Sequence, residues 1–420
     1  GENYFLRAIC HLHLSMLYSR PYTFGRDNMG VVLRTSTDTP ATERSTVGAV
    51  YDQIRDDLVK AAGLLKDKAR RGDAGYVSYD AAMGLLSRVY LYRGEDDKVI
   101  ETVNGLLGGA SAESKLDPDY ARYFENALSS PETLWAVAHE DYEDRGRESV
   151  GSMYWTPDQR GVGGWAEMYY SDPLIALYER HPEDIRFTAY CERLNSDETG
   201  QLQVRWAVAS EGTDFRVNQL YDCFRDDNGY YYEENGSRHY LQAEQEYGRT
   251  QFYVTVGGEK TRAYVDVKTE SFNTCPAMCK KFASPTNAAH PLLSSPVMLR
   301  WGEVILNRAE AYAKTGNEQG ALDDVNALRR RAGLSEEALY TLDNYREAGY
   351  SSVLDVVLDE RRLELCFEGQ RAFDVFRNGR SLDRRFAGVQ PWEMVDCDDP
   401  RILYRIPYDE ISVSGIPQND

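Results

Sequence analysis

Aromatic rings clustered among glycines are the feature of this chain with the clearest chemical use. Tyr154, Trp155, Trp165, Tyr169 and Tyr170 fall within SVGSMYWTPDQRGVGGWAEMYY (149–170), and Tyr230, Tyr231, Tyr232 and Tyr240 within DDNGYYYEENGSRHY (226–240). The C–H faces of a sugar ring are apolar and can lie flat on an aromatic ring, while Asn, Asp, Arg and Gln bond the hydroxyls. Such a site breaks no bond and needs no catalytic group. The expected substrate-binding set is Tyr154, Trp155, Trp165, Tyr169, Tyr170 and Tyr231. Successive residues of a strand point to opposite faces, so at least one of the three consecutive tyrosines should meet solvent or ligand. The competing reading is that these rings pin long loops in place.

Signals for other chemistry are weak. The chain has no phosphate-binding glycine loop, HExxH zinc motif, GxSxG elbow or dinucleotide-binding glycine fingerprint. Glu360 and Glu364 lie four apart on one helix face and could form a catalytic carboxylate pair. Pairing with neighbouring arginines of the same helix, together with anchoring of backbone in adjacent loops, explains them better. Asp141, Glu143, Asp144 and Glu167 border the Trp loop and are the candidates for a glycoside hydrolase, which needs two carboxyls across a cleft. His11 and His13 are two apart and face different sides of a helix. Cys275 and Cys279 could pair or bind metal, but no second pair completes a zinc site, and seven scattered cysteines are not a disulfide framework. Asp226-Asp227-Asn228-Gly229 lacks the spaced acids of a calcium loop and reads as a turn. No cofactor is expected, although loop carbonyls leave room for a bound calcium.

Composition narrows the function further. The 420 residues carry a net charge of −20, which repels nucleic acid. No apolar run reaches the length of a membrane span. The chain opens at Gly1 in a helical pattern, with neither a signal peptide nor a lipid-attachment cysteine in view, so localisation is not read from that end.

The elements that must position these residues are mostly helices. Residues 1–18 and 47–65 have apolar residues at helical spacing, and Pro21 closes the first. Residues 79–107 and 301–331 each read as two helices broken by a glycine, Gly94 and Gly316. Aligning these glycines matches Tyr90 with Tyr312, Val103 with Val325, Asn104 with Asn326 and Leu106 with Leu328, the pattern of a tetratricopeptide-type hairpin. A further helix should run from 353 to near Gly369, followed by another to Gly379. Residues 132–140, 201–210 and 251–269 read as strands, with Gly257-Gly258 as a turn and 226–240 as a Tyr-rich loop. The expected fold is mainly α: a helical-hairpin scaffold at 1–107 and 296–420, with a loop-rich, ligand-binding insertion at 108–295 carrying short β-hairpins.

Several segments together resemble the SusD/RagB family of outer-membrane nutrient-binding lipoproteins. They are Glu2-Asn3-Tyr4-Phe5-Leu6-Arg7-Ala8; Val50-Tyr51-Asp52-Gln53-Ile54 with Asp57-Leu58; WGEVILNRAEAYAKTGN…ALDDVNALRRRAGL (301–334); Glu360-Arg361-Arg362-Leu363-Glu364-Leu365 with Phe367-Glu368-Gly369, Arg371 and Asp374; and RIPYDEISVSGIPQND at the end. The resemblance implies a single tetratricopeptide-like domain over 1–420 and structural roles for the Glu/Arg signature. It implies surface exposure at the outer membrane through an N-terminal lipid anchor absent from this sequence. It also implies a TonB-dependent, SusC-like transporter as partner. Two departures stand out: the family has a helical segment before the position of Gly1, and its usual ending continues beyond Gln418-Asn419. The expected function is non-catalytic capture of oligo- or polysaccharide for import. Peptide capture is the alternative, and a helical glycoside hydrolase is a more distant one.

Overall fold

The computed structural model describes residues 1–37, 43–155, 163–193, 200–246, 249–268 and 277–419. It divides into two compact units: Gly1–Glu143, Ser295–Leu382 and Val395–Asp420 in the first, and Asp144–Ser294 with Asp383–Met394 in the second. Cys275 and residues 156–162 of the Trp loop lie outside the described residues.

The first unit is helical. Helix α1 (Glu2–Tyr18) buries Phe5, Ala8, Ile9 and Leu12, and α2 (Val47–Leu65) buries Val47, Val50, Ile54, Leu58 and Ala61. Both faces follow the helical period, and apolar burial of this kind stabilises by about 1.5–3 kcal/mol per large side chain. Polar side chains start the helices by accepting orphan N–H groups. Thr46 takes the Ala49 N–H at the head of α2, and Ser78 takes that of Ala81 at the head of α3 (Tyr79–Arg93).

Helix α3 ends where Gly94 turns left-handed at φ +71°, and α4 (Asp96–Leu107) runs back along it. Much later in the chain, α7 (Trp301–Thr315) ends at Gly316, φ +86°, and α8 (Glu318–Arg331) returns. Both tetratricopeptide-like hairpins fall where the repeated pattern places them. They join each other as well: α4 packs on α7, and Arg308 on α7 donates to the Asn104 side chain on α4 at 2.6 Å. The shared core holds Leu85, Val89, Val103, Ile305, Leu306 and Leu328.

A set of buried ion pairs locks this unit. Strand β1 (Thr133–Ala136) pairs with β11 (Val297–Arg300). Arg300, at the end of β11, bonds Glu132 at 2.8 Å, Glu364 at 2.6 Å and Glu368 at 2.8 Å. Arg331 joins Glu364 and Glu132. Arg88 on α3 forks onto Glu303 of α7 at 2.5 and 2.6 Å. Arg377 of α10 (Arg371–Arg377) forks onto Glu310 at 2.6 Å and also meets Asp374, which Arg361 of α9 (Val353–Glu364) bonds at 2.9 Å.

Glu360 and Glu364 therefore sit in buried pairs, Glu360 with Arg329 at 3.2 Å. The expected partners, arginines of their own helix, are corrected: Arg300, Arg329 and Arg331 come from elsewhere in the chain. Helix α9 also ends at Glu364 rather than near Gly369. Phe367 and Gly369 both turn to positive φ, and the Glu364 carbonyl freed by this ending receives the Arg300 Nη2–H at 2.8 Å.

The second unit is built on an antiparallel sheet. Two short helices, α5 (Asp172–Tyr178) and α6 (Ile185–Thr188), lead into it. Its strands are β3 (Leu202–Ala209), β4 (Phe215–Asp226), β5 (Gly229–Glu234), β6 (Ser237–Tyr240), β7 (Gln242–Glu246), β8 (Arg249–Val256) and β9 (Glu259–Val267). Their order is β6-β5-β4-β3-β9-β8-β7, and Gly388–Pro391 pairs with β4 as an eighth strand. A separate ribbon pairs β2 (Cys191–Arg193) with β10 (Ala277–Cys279).

Alternation sets the two faces of the sheet. Val204 and Trp206 join Cys223, Val254 and Ala263 in a core where Trp206 stacks on Tyr221 at 5.3 Å. Between them, Arg205 points the other way and meets Asp172 of α5 at 2.8 Å. The Gly257-Gly258 turn between β8 and β9 falls as expected. The stretch 226–240, expected as a loop, is instead β5 and β6, because Asn235 and Gly236 both adopt positive φ and close a two-residue hairpin.

Two stability outcomes follow from the ion pairs. Arg300→Leu takes one cation away from three buried carboxylates, leaving Arg331 beside Glu132 and Glu364, and should cost about 3–5 kcal/mol in urea unfolding, whereas Arg26→Leu, in an exposed pair with Asp52, should cost at most about 1 kcal/mol. Burial pushes the Glu310 carboxyl up, but Arg377, Lys314 and Arg361 together hold it well below its ordinary 4.5. A depressed folded pKa means that its contribution is complete above the unfolded value and lost as pH falls below about 4.5. Glu310→Gln, less stable at neutral pH, should lose less stability than the parent between pH 5 and pH 3.

Candidate functional site

Trp165 is the most exposed of the six predicted rings. It is 53% exposed, although the loop around it is tightly bonded. The chain enters through a 3-10 turn at Gly146–Glu148 and another at Val150–Tyr154. The Ser152 carbonyl accepts the backbone N–H groups of Trp165 at 2.7 Å and Ala166 at 3.3 Å. A Cβ on Gly164 would strike the carbonyl oxygens of Ser152 and Trp155, so the loop closes only with glycine there. Ala166 sits at φ +53°, a conformation that side chains resist. The Tyr169 hydroxyl donates to the Ala166 carbonyl and ties down the far side.

Arg147 fixes the indole. Its carbonyl accepts the Trp165 Nε1–H at 2.9 Å, and its guanidinium lies 4.7 Å from the ring centre, a cation–π contact. The same guanidinium donates to the carbonyl of Gly163 at 3.0 Å, and the Ser152 hydroxyl donates to the Arg147 carbonyl at 2.6 Å. Sequence reasoning missed Arg147, because its role depends on chain folding that brings residue 147 beside residue 165. The only signal was a cation two residues before an aromatic, glycine-rich stretch.

The other predicted rings lie elsewhere. Tyr154 is buried edge-on against Phe282 at 5.1 Å. Trp155 is only 3% exposed and lies under the Lys280 ammonium at 5.2 Å. Tyr170 is fully buried, packed edge-on against Phe187 at 5.1 Å. Tyr169 is half-buried, its hydroxyl bonded to the Ala166 carbonyl. Tyr231 is buried on the β5–β6 hairpin, between Phe224 and Tyr240 and under Arg238. Of the six, Trp165 is exposed, Tyr169 is half-buried, and four rings fill their unit, because the alternation and the turns that place them face inward. Tyr240, by contrast, is exposed at the hairpin edge.

Among the bordering carboxylates, Asp144 accepts from His290 Nδ1 at 2.8 Å, the Gly146 N–H at 2.8 Å and the Ser149 hydroxyl at 3.1 Å. Burial raises its pKa, and these partners outweigh that, holding it below the usual aspartate value. It stays ionised at neutral pH and is unsuited to donating a proton. Glu167 is exposed; Asp141 and Glu143 belong to the first unit. Among the described residues, no group of three or more His, Cys, Asp or Glu is placed to hold a metal, and Cys279 is buried. The geometry offers one anchored, water-facing ring bordered by backbone carbonyls, suited to stacking against a flat, hydroxylated or apolar ligand.

Residues 131–412 match the model of the SusD family. The chain belongs to the SusD family. Its first 91 residues also match a model described as starch-binding, associating with the outer membrane. The SusD-like protein P2 of Formosa agariphila is 22% identical over 389 residues, 90% of this chain and 64% of that protein; the chain thus spans less than two thirds of that relative. Solved structures share the fold. A SusD superfamily protein of Bacteroides thetaiotaomicron superposes with a TM-score of 0.66 at 22% identity, covering 100% of this chain and 77% of the other. A putative sugar binding protein of Bacteroides vulgatus gives 0.65 at 22%, covering 100% and 76%. A laminarin binding SusD-like protein gives 0.56 at 20%, covering 100% and 77%. The SusD scaffold is thus the hairpin assembly described above, with the sheet unit inserted between its helices.

Gly164→Ala tests whether this loop is built as described. Displacing two backbone carbonyls should destabilise the second unit by about 1–3 kcal/mol and shift Trp165 fluorescence towards that of a mobile indole. Gly105→Ala, in open space on α4, should do neither.

Proposed function

We propose that this SusD-family chain captures glycan at the cell surface without breaking a bond and passes it to a TonB-dependent, SusC-like outer-membrane transporter. One observation carries the reading: Trp165 holds an aromatic face in water, with its indole N–H and its ring both fixed by Arg147. A ring already immobilised loses little entropy when a sugar stacks on it. The matched model for starch-binding proteins associating with the outer membrane, and the laminarin binding relative, point to the same ligand class. Surface exposure and a lipid anchor belong to this proposal, and capture of this kind uses no cofactor. The depressed pKa of Asp144 weighs against a hydrolase that would draw its acid from the edge of this loop.

Isothermal titration against a glycan panel, with product analysis of the same mixtures, tests the proposal. Trp165→Ala should weaken the bound glycan by about 1–3 kcal/mol, roughly 5- to 150-fold. Unchanged affinity removes Trp165 from the site. Heat from peptides and none from glycans assigns the chain to peptide capture. Glycan cleavage that disappears in Glu167→Gln makes it a hydrolase.

A further inference from the structure

A hollow of about 420 Å³ lies in the first unit, away from the Trp165 loop, where α1, the segment leading into α2 and the closing turn of the chain converge. That is the size of a small-molecule pocket. Leu14, Val31 and Ile416 give it apolar walls, and Arg34 and Arg44 line it with positive charge.

Arg44 sets this hollow apart. Elsewhere in the unit, buried guanidiniums such as those of Arg88, Arg300 and Arg377 face carboxylates. Arg44 instead donates to three backbone carbonyls: Gly30 at 2.7 Å, Tyr18 at 2.9 Å and Pro417 at 3.2 Å. Those bonds hold it in place and leave two of its five N–H donors without a partner, and its charge without a paired carboxylate, among the described residues. Burial pushes its pKa down.

His11 lines the same hollow and is 4% exposed. Its Nε2 accepts the Arg34 backbone N–H at 3.2 Å, so the neutral ring carries its proton on Nδ1, which has no partner among the described residues. Glu410, exposed, is the one carboxylate among the described lining residues and opposes a second negative charge.

We propose that this hollow binds a monocarboxylate carried on an apolar body, with the carboxylate meeting Arg44 and Arg34 and the apolar part lying against Leu14, Val31 and Ile416. A fatty acid and the C-terminus of an apolar peptide share this chemistry.

Calorimetry on the 420-residue chain with decanoate and with N-acetyl-leucyl-leucine, each beside its uncharged amide, tests the proposal. At least one acid should bind saturably and its amide at least about tenfold more weakly, the difference expected of a charge-assisted contact. Arg34→Met, at an exposed side chain, should weaken that acid severalfold. Ile416→Trp should fill the hollow and abolish binding, with an unchanged circular dichroism spectrum confirming the fold. Trp165→Ala should leave the acid's affinity unchanged, which separates this site from glycan capture. Decanoate alone binding identifies acyl chains; the peptide acid alone identifies peptide ends. No saturable heat with either acid, equal affinity for acid and amide, or undiminished binding in Ile416→Trp overturns the proposal.

Discussion

A guanidinium out of water costs several kcal/mol unless carboxylates surround it, and that requirement governs the helical unit. Arg300 closes β11 and opens α7, and to stay buried it must meet Glu132 from before β1 and Glu364 and Glu368 from the end of α9. Parts of the chain more than a hundred residues apart therefore have to arrive together. The second set, Glu310, Arg361, Asp374 and Arg377, does the same for α7, α9 and α10. Apolar side chains could supply equal stability, but they tolerate sliding and rotation. A planar fork on two oxygens does not, so these pairs fix which helix lies against which.

The aromatic residues divide between two tasks for a related reason. Tyr154, Trp155, Tyr170 and Tyr231 are buried within the second unit, and Tyr232 joins Trp206 and Tyr221 in a stack that holds the sheet together. Trp165 is different because the turn beneath it consumes its backbone donors at Ser152 and its indole donor at Arg147. With those groups satisfied, nothing draws the ring inward, and it stays in water without an unpaired polar group. A left-handed alanine and a glycine that admits no Cβ are the conformational cost of that loop.

Much of this was legible in the sequence where the signal is local. Gly94 and Gly316 marked both hairpins, because left-handed helix ends need glycine and the apolar period on each side is strong. Gly257-Gly258 marked the β8–β9 turn in the same way. The Tyr-rich hairpin was missed, since Asn235-Gly236 was read as loop composition rather than as a turn between two strands. The partners of Glu360 and Glu364 were not legible: a helix suggests neighbours three or four residues away, whereas Arg300, Arg329 and Arg331 reach them only through the fold. Burial of Tyr154, Trp155, Tyr170 and Tyr231 escaped for the same reason, because composition shows that rings are close in sequence but not which way each faces.

A single anchored ring also limits how tightly the proposed ligand can be held. Stacking at one hot spot contributes about 1–3 kcal/mol, less than the roughly 4 kcal/mol that corresponds to a millimolar dissociation constant. The rest must come from polar contacts to sugar hydroxyls. The Arg147 guanidinium, already engaged with the carbonyls of Gly163 and Gly164, has few donors left to give. Recognition of a particular sugar therefore rests on groups around the ring rather than on the ring itself, which every sugar face can touch. That division suits the proposed capture, whose ligand must leave again: the ring would hold broadly and weakly, and selectivity would come from hydrogen bonds that can be replaced one at a time.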